Sequence, residues 1–200
     1  MTFRLLVCAL LTALTMSVVI PVAYSKTEAE CLEDIRLGTE LIKSSPNDFR
    51  GYASRGCAFG YLKKYDLAEK DILKALALKP GTAGLYSHLA SVYHGLGRYE
   101  DAIKACRKSI EFGHRTQAAY NALLGSLYEA KHFEECITQS EMVLGTFPND
   151  GRVFLYRALC KSELCKSSRK EILGDFEKAL LLEPEDENIR EQYEFYKKGN

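Results

Sequence analysis

The sequence predicts an all-α solenoid built from antiparallel helix pairs, and a fixed repeat length is the main reason. The aromatic residues Tyr65, Tyr99 and Phe133 follow one another at a constant interval. Small and apolar residues recur at helical spacing around these aromatic residues. The interval, a period of about 34 residues, is typical of units that bury their apolar faces only by stacking on their neighbours.

Prolines mark the ends of the same units. Pro80 follows Pro46 by one period, and Pro148 follows Pro80 by two periods. Proline cannot continue a helix and biases the preceding residue away from the helical region, so each of these prolines ends a helix pair. His114 stands where the intervening proline would be, and Gly113 before it allows the chain to turn.

Residues 1–25 follow a different pattern and are predicted to form a secretory signal peptide. Arg4 precedes an apolar run from Leu5 to Val22, and Ala23 and Ser25 are small enough for a signal peptidase. Cleavage near Ser25 makes the protein an exported one, either periplasmic or extracellular. The alternative is an uncleaved membrane anchor, because the apolar run lies at the lower edge of the roughly 17–25 residues that span a bilayer.

The rest of the chain divides into repeats. The predicted segments are an N-terminal helix that forms a half repeat (26–48), four full repeats (49–82, 83–116, 117–150 and 151–184) and a C-terminal capping helix (185–200). The fourth repeat is longer, because Pro184 stands two positions later than one period after Pro148. We expect the two extra residues in the turn between the helices of that repeat.

The residue types within the repeats resemble the tetratricopeptide repeat family. The family pattern has a large, an aliphatic and a small residue in the first helix, then small, aromatic and small residues in the second helix, before a closing proline. The matching residues in the four repeats are, in order, Tyr52, Gly56, Phe59, Ala68, Ile72, Ala75 and Pro80; Tyr86, Leu89, Ala90, Tyr93, Gly97, Tyr99, Ala102 and Ser109; Tyr120, Leu123, Leu127, Phe133, Val143 and Pro148; and Phe154, Ala158, Phe176, Ala179 and Pro184. Departures occur at Arg55, Cys106, His114, Leu124 and Cys136. The resemblance implies a right-handed superhelix with a concave face lined mainly by first helices.

The resemblance also implies that a partner binds in the concave groove. The residues expected to point inward are Arg50, Ser54, Cys57, Tyr61, Ser87, His88, Ser91, His94, Asn121, Gly125, Tyr128, Arg152, Tyr156 and Leu159. This lining is neutral to mildly basic and contains several tyrosines, which suits a peptide held by aromatic contacts and hydrogen bonds. Family members that clamp a chaperone's terminal carboxylate use lysines and asparagines. The corresponding positions here include Ala53, Cys57, His88 and Ala122, so this clamp is not expected.

The charge balance favours a protein or peptide partner. Without residues 1–25 the chain has 26 basic and 27 acidic side chains, with both signs interleaved. Nucleic acids and anionic membrane surfaces attract a concentrated basic field instead. We therefore expect no nucleic acid partner, and membrane contact only if the N-terminal segment stays uncleaved. Self-association is a further hypothesis, because the ends of a repeat stack can pair.

Catalytic and metal-binding motifs do not occur in the sequence. None of the four histidines falls in a metal-binding pattern such as HExxH, and no phosphate loop, nucleotide fingerprint or nucleophile elbow is present. We expect no catalytic residue, no metal and no cofactor. The sequence thus predicts an exported, non-catalytic interaction scaffold that helps assemble or maintain an envelope complex. Two alternatives stay open: an enzyme or enzyme-accessory protein that uses a Cys57 and His88 neighbourhood, and a self-assembling structural protein.

Cysteine usage allows one disulfide hypothesis. Six cysteines remain without residues 1–25, and an even number in an exported chain permits bridges. Cys106 and Cys136 occupy packing positions in second helices and are expected to be small buried hydrophobes. Cys160 and Cys165 flank the irregular turn of the fourth repeat, and a helix that ends near Leu164 brings them within bridging range. Free thiols are the alternative to a Cys160–Cys165 disulfide.

Overall fold

The computed structural model describes residues 26–164 and 167–198, which form ten α-helices and contain no strand. The helices are α1 (Glu28–Ser44), α2 (Phe49–Tyr61), α3 (Tyr65–Leu78), α4 (Ala83–Gly95), α5 (Tyr99–Glu111), α6 (Gln117–Glu129), α7 (Phe133–Thr146), α8 (Gly151–Leu164), α9 (Arg169–Leu182) and α10 (Glu187–Lys198). The predicted all-α solenoid is confirmed. The predicted signal peptide, residues 1–25, lies outside the described residues. Across the described ranges, no helix combines the length and apolar character needed to cross a membrane.

The first helix of each repeat begins one period after that of the preceding repeat. Helices α2, α4, α6 and α8 start at Phe49, Ala83, Gln117 and Gly151, at the same constant interval as the aromatic residues of the sequence. Helices α3, α5 and α7 keep this interval as well, whereas α9 starts two positions late, at Arg169. The two extra residues of the fourth repeat therefore lie before the start of α9, in the segment where the proline spacing placed them.

In the first three repeats, the same position of the turn between the paired helices adopts a left-handed backbone. Lys63, Gly97 and Lys131 have φ values of 56°, 70° and 62°, and they stand one period apart. Glycine adopts this conformation without a steric penalty, whereas a residue with a Cβ atom does so at a cost. Only the second repeat thus has a glycine, Gly97, at this position.

Glycines allow α1 and the first repeat to pack closely. A Cβ atom on Gly38 of α1 would lie 2.8 Å from the carbonyl oxygen of Gly51 in α2, and one on Gly56 would lie 3.0 Å from Ile72 in α3. Side chains at these positions would push the helices apart. Helix α1 therefore docks on α2 as the second helix of a half repeat.

The core consists of two clusters that meet at tyrosines. The larger cluster extends from Ala68 to Cys160, and the smaller one joins α8 and α9 to α10. Tyr128 and Tyr156 pack against both clusters. Helix α10 covers the end of the smaller cluster, where the fully buried ring of Phe176 stacks on Tyr196 with centroids 5.0 Å apart.

In the first and fourth repeats, an arginine of the first helix forms an ion pair with an aspartate of the second helix. Arg55 of α2 makes two hydrogen bonds of 2.7 and 3.0 Å to the buried carboxylate of Asp71 in α3. Arg157 of α8 makes the equivalent bonds to buried Asp175 in α9. Arg55, which departs from the family pattern, therefore pairs with an aspartate on the facing helix. The same arginine–aspartate pair recurs in the fourth repeat.

The first helices form a continuous inner layer. Helix α2 contacts α4, α4 contacts α6, and α6 contacts α8, while each second helix packs behind its own first helix. In a curved stack the elements on the inner side approach one another, so this row lines the concave face. Residues that project from α2, α4, α6 and α8 are the ones available to a ligand in the groove.

Candidate functional site

Three connected pockets lie along the row of first helices. The aromatic pocket lies between α2 and α4, the central pocket between α4 and α6, and the acidic pocket between α6 and α8, with volumes of about 260, 190 and 560 Å³. Ser91 lines both the aromatic and the central pocket. Asn121, Ala122 and Tyr156 line both the central and the acidic pocket. The three pockets therefore form one groove.

The aromatic pocket has an apolar floor and a polar rim. Its residues are Cys57, Gly60, Tyr61, Tyr65, Ile72, Ser87, His88, Ser91 and Val92. The rings of Tyr61 and His88 meet edge to face with centroids 6.0 Å apart, and half of Tyr61 is exposed. Tyr65 can reach the pocket because Gly95 has no side chain, since a Cβ atom there would overlap the Tyr65 ring. The pocket thus offers flat apolar surfaces with hydroxyl and imidazole groups at the edge.

The electrostatics of Cys57 and His88 do not favour nucleophilic chemistry. Burial raises the pKa of the Cys57 thiol to about 11, so only a small fraction is thiolate at neutral pH. Burial also lowers the pKa of His88, with smaller effects from Lys26 and His114, so its imidazole is neutral at that pH. An activated cysteine needs the opposite shift in its thiol pKa.

The central pocket is narrow because a tyrosine crosses it. The hydroxyl of Tyr156 in α8 packs on Gly125 in α6, where a Cβ atom would lie 2.8 Å from the oxygen. His94 and Ser91 of α4 line the opposite wall and are exposed. The His94 ring also meets Tyr99 edge to face at 5.3 Å. This segment suits a slender part of a ligand, such as an extended main chain.

The acidic pocket is built at the N-terminus of α8. The buried carboxylate of Asp150 accepts hydrogen bonds from the backbone N–H of Arg152 at 3.1 Å and from the amide Nδ2 of Asn121 at 3.1 and 3.3 Å. Glu183, which follows α9, places Oε1 3.1 Å from the same Arg152 N–H. Two carboxylates therefore meet at the positive end of a helix dipole, which stabilises them.

Two groups in the acidic pocket have incomplete interactions. The Oδ1 atom of Asn121 is buried and has no hydrogen-bond partner among the described residues. The guanidinium of Arg152 lies 3.5 Å from Glu183 and 3.7 Å from Asp186, distances longer than a direct hydrogen bond, and its side chain is 57% exposed. Asn121 Oδ1 and the Arg152 guanidinium therefore keep hydrogen-bonding capacity that the described residues do not fill.

The structure places most of the sequence-predicted groove residues along these pockets. The residues that line them are Cys57, Tyr61, Ser87, His88, Ser91, His94, Asn121, Gly125, Arg152 and Tyr156. Arg50 instead turns back to Asp48, which caps α2, and Tyr128 packs against Phe133 with centroids 5.9 Å apart. Ser54 is half-buried and lines none of the three pockets. Leu159 is buried with Ile172 and Phe176 in the smaller core cluster, so it is not available to a ligand.

Sequence reasoning missed the two carboxylates at the acidic end of the groove. Asp150 and Glu183 lie between helices, whereas the predicted lining came from first helices alone. One signal was present: Pro148, Asn149 and Asp150 repeat the order of residues 46–48 three periods earlier. A residue that caps a first helix stands beside the preceding first helix in the stack, and it can therefore line the groove.

The cysteines that the structure describes are unbridged and mostly buried. The interaction with Cys136 and burial raise the pKa of Cys160, with the interaction as the larger cause. Cys165 lies outside the described residues, and the Cys160–Cys165 disulfide stays a prediction. The described part of the chain contains no group of three or more histidine, cysteine, aspartate or glutamate side chains that could hold a metal ion.

Comparison with known proteins finds tetratricopeptide repeats in part of the chain. The tetratricopeptide repeat model matches residues 49–82 and 83–112. The small glutamine-rich tetratricopeptide repeat-containing protein 2 of Saccharomyces cerevisiae is 37% identical over 73 residues, which are 36% of this chain and 21% of that protein. The chain thus matches about a fifth of the length of this curated relative. These matches show tetratricopeptide repeats at residues 49–112, and the remaining described helices continue the same paired arrangement.

Solved structures share the fold at low sequence identity. A crystal structure of MamA superimposes with a TM-score of 0.71 and 20% identity, covering 80% of this chain and 93% of MamA. YrrB, described as a tetratricopeptide repeat protein with an unusual peptide-binding site, superimposes with a TM-score of 0.73 and 16% identity, covering 83% of this chain and 84% of YrrB. At these identities the likeness concerns the fold alone.

Proposed function

We propose that this protein is a non-catalytic scaffold that binds an extended segment of a partner protein in its concave groove. The observation that supports this proposal is the continuity of the three pockets across α2, α4, α6 and α8. A shared lining residue at each boundary lets one ligand occupy all three pockets. The tetratricopeptide repeat fold and the peptide-binding site ascribed to YrrB agree with this function.

The groove has the chemistry that peptide recognition needs. The aromatic pocket provides apolar surface for a side chain, and Ser87, Ser91 and His94 provide donors and acceptors for a main chain. The first helices hold these groups on a packed scaffold, so these groups lose little conformational freedom when a peptide binds. The raised pKa of Cys57 is a further reason to prefer binding over chemistry at this site.

Export and an envelope role belong to the same proposal. The support is the pattern of residues 1–25, with a basic start, an apolar centre and small residues before Lys26. We propose that the exported protein holds a partner within an envelope complex. N-terminal sequencing of the protein from its native compartment should give a chain that begins at Lys26. Recovery of a membrane-bound chain that retains Met1 would favour the anchored alternative.

A groove-blocking variant tests the scaffold function. Ser91→Trp places a large side chain at the boundary of two pockets, and Ser91 is exposed, so the core is left intact. Lys74→Trp adds the same side chain to an exposed site on α3 and serves as the control. We expect affinity capture with the full chain to recover a partner that Lys74→Trp retains and Ser91→Trp loses. Equal recovery by both variants would contradict groove binding.

A further inference from the structure

We propose that the groove selects a partner segment with an apolar or aromatic side chain at the aromatic pocket and a basic side chain at the acidic pocket. This inference rests on the proposed function and adds the chemistry of the ligand. The two ends of the groove differ in their lining, and this difference gives the bound segment a direction.

The aromatic pocket has the size and surface for one ring or aliphatic side chain. Its volume of about 260 Å³ exceeds the roughly 150 Å³ of a protein cavity that accepts benzene. Ile72 and Val92 supply the floor, and the Tyr61 and His88 rings supply the walls. Neutral His88 adds no charge that would have to be desolvated.

The acidic pocket offers acceptors to a donor with positive charge. A carboxylate can only accept hydrogen bonds, so Asn121 must turn Nδ2 towards Asp150 and direct Oδ1 away from it. That oxygen has no hydrogen-bond partner among the described residues, which costs free energy, and its burial keeps it out of reach of a ligand in the pocket. A lysine ammonium has three N–H donors and can donate to the Asp150 and Glu183 carboxylates that line the pocket.

The charge of the pocket also favours a cation. Its lining contains Asp150, Glu183 and one basic side chain, Arg152. The Arg152 guanidinium is mostly exposed and lies 3.5 Å from Glu183 and 3.7 Å from Asp186, so it neutralises the Glu183 carboxylate only weakly. An incoming lysine or arginine therefore meets negative charge that is only partly neutralised, at the edge of a partly buried site.

The helix spacing sets the separation of the two anchor side chains. The aromatic pocket lies between α2 and α4 and the acidic pocket between α6 and α8, so the pockets are two helix positions apart. Packed helices lie about 8–10 Å apart, which gives roughly 20 Å. An extended chain advances about 3.3 Å per residue, so the anchors are roughly six residues apart.

Labelled synthetic peptides test this specificity. Each probe is about 14 residues long and has capped ends and a flexible host sequence of glycine and serine. It contains one phenylalanine. About six residues from this phenylalanine, the three probes differ and have lysine, glutamine or glutamate. Fluorescence anisotropy with the full chain should rank the lysine probe tightest. We expect the glutamine probe to bind about three- to tenfold more weakly, and the glutamate probe weaker still.

Charge-neutral variants of the protein localise the effect. Asp150→Asn keeps a good helix cap, and Glu183→Gln keeps the shape of the side chain. The double variant should bind the lysine and glutamine probes equally, whereas Glu185→Gln, an exposed neighbour outside the pocket, should keep the preference. A preference that survives in the double variant, or equal binding of the lysine and glutamate probes to the unaltered protein, would overturn the proposal.

The same experiment separates this inference from the proposed function. If all probes bind equally and Ser91→Trp abolishes their binding, the groove binds peptides without the charge selectivity proposed here. If Ser91→Trp leaves both peptide binding and partner capture unchanged, the scaffold function in the groove is itself wrong.

Discussion

One residue in the turn between paired helices adopts a left-handed backbone conformation, which is unfavourable for any residue with a Cβ atom. Lys63, Gly97 and Lys131 occupy the same position, and only glycine adopts a positive φ freely. We expect Lys131→Gly to raise the free energy of unfolding by roughly 0.5–1 kcal/mol, because the strain released exceeds the added chain entropy. Gly97→Ala is the reverse change and should destabilise by about 1 kcal/mol. Thermal melts of both variants check this, and a lower melting temperature for Lys131→Gly would contradict it.

Burial of His88 should make the stability of the protein depend on pH. Its pKa is depressed below the ordinary value of 6.5 in the folded state, because burial disfavours the imidazolium. The unfolded chain therefore binds a proton more readily, and His88 costs stability as pH falls below about 6.5. We expect His88→Gln to lose less stability than the unaltered protein between pH 7.5 and pH 5. Denaturant unfolding at several pH values measures this, and parallel pH profiles for the two proteins would contradict it.

Helix pairing in the first repeat uses an ion pair where the second repeat uses apolar residues. Leu89 and Ala105 stand one period after Arg55 and Asp71, and both are buried in the core. Arg55→Leu alone leaves the Asp71 carboxylate buried without its partner and should cost about 3 kcal/mol. Adding Asp71→Ala copies the second repeat and should return stability to within about 1 kcal/mol of the original. Urea unfolding of both variants measures the difference, and equal stability of the two would refute the pairing argument.

The elements could be predicted from the sequence more completely than the site. A helix pair imposes a strict period on apolar residues, so Tyr65 and Tyr99 indicate their helices by spacing alone. Arg55 could be recognised only as a departure from this pattern, because its partner Asp71 lies on the facing helix. Glu183 was missed for a similar reason: it contributes to the groove through the packing of three helices, which no local pattern records.

At the scale of the whole molecule, the groove depends on a stack whose ends must be closed. Each repeat buries its apolar face against a neighbour, so stability is a sum of interfaces along the chain. Helix α10, the last of the described helices, has a polar outer surface, and Tyr128 and Tyr156 join the smaller core cluster to the larger one. Because Tyr156 also lines the groove, disorder at the C-terminal end should reach the acidic pocket first.

Tyr196 provides a direct test of this closure. Its ring stacks on buried Phe176, and its hydroxyl lies 2.5 Å from Ser162 in α8, so Tyr196→Ala should weaken the α10 interface by about 2 kcal/mol. Phe195→Ala is the comparison and should weaken the interface less, because its ring is half-exposed and meets Tyr196 only edge to face with centroids 5.5 Å apart. We expect hydrogen exchange to show faster opening of α8 and α9 in Tyr196→Ala, while α3 to α5 keep their protection. Uniform loss of protection along the chain would instead mean that the stack opens as one cooperative unit.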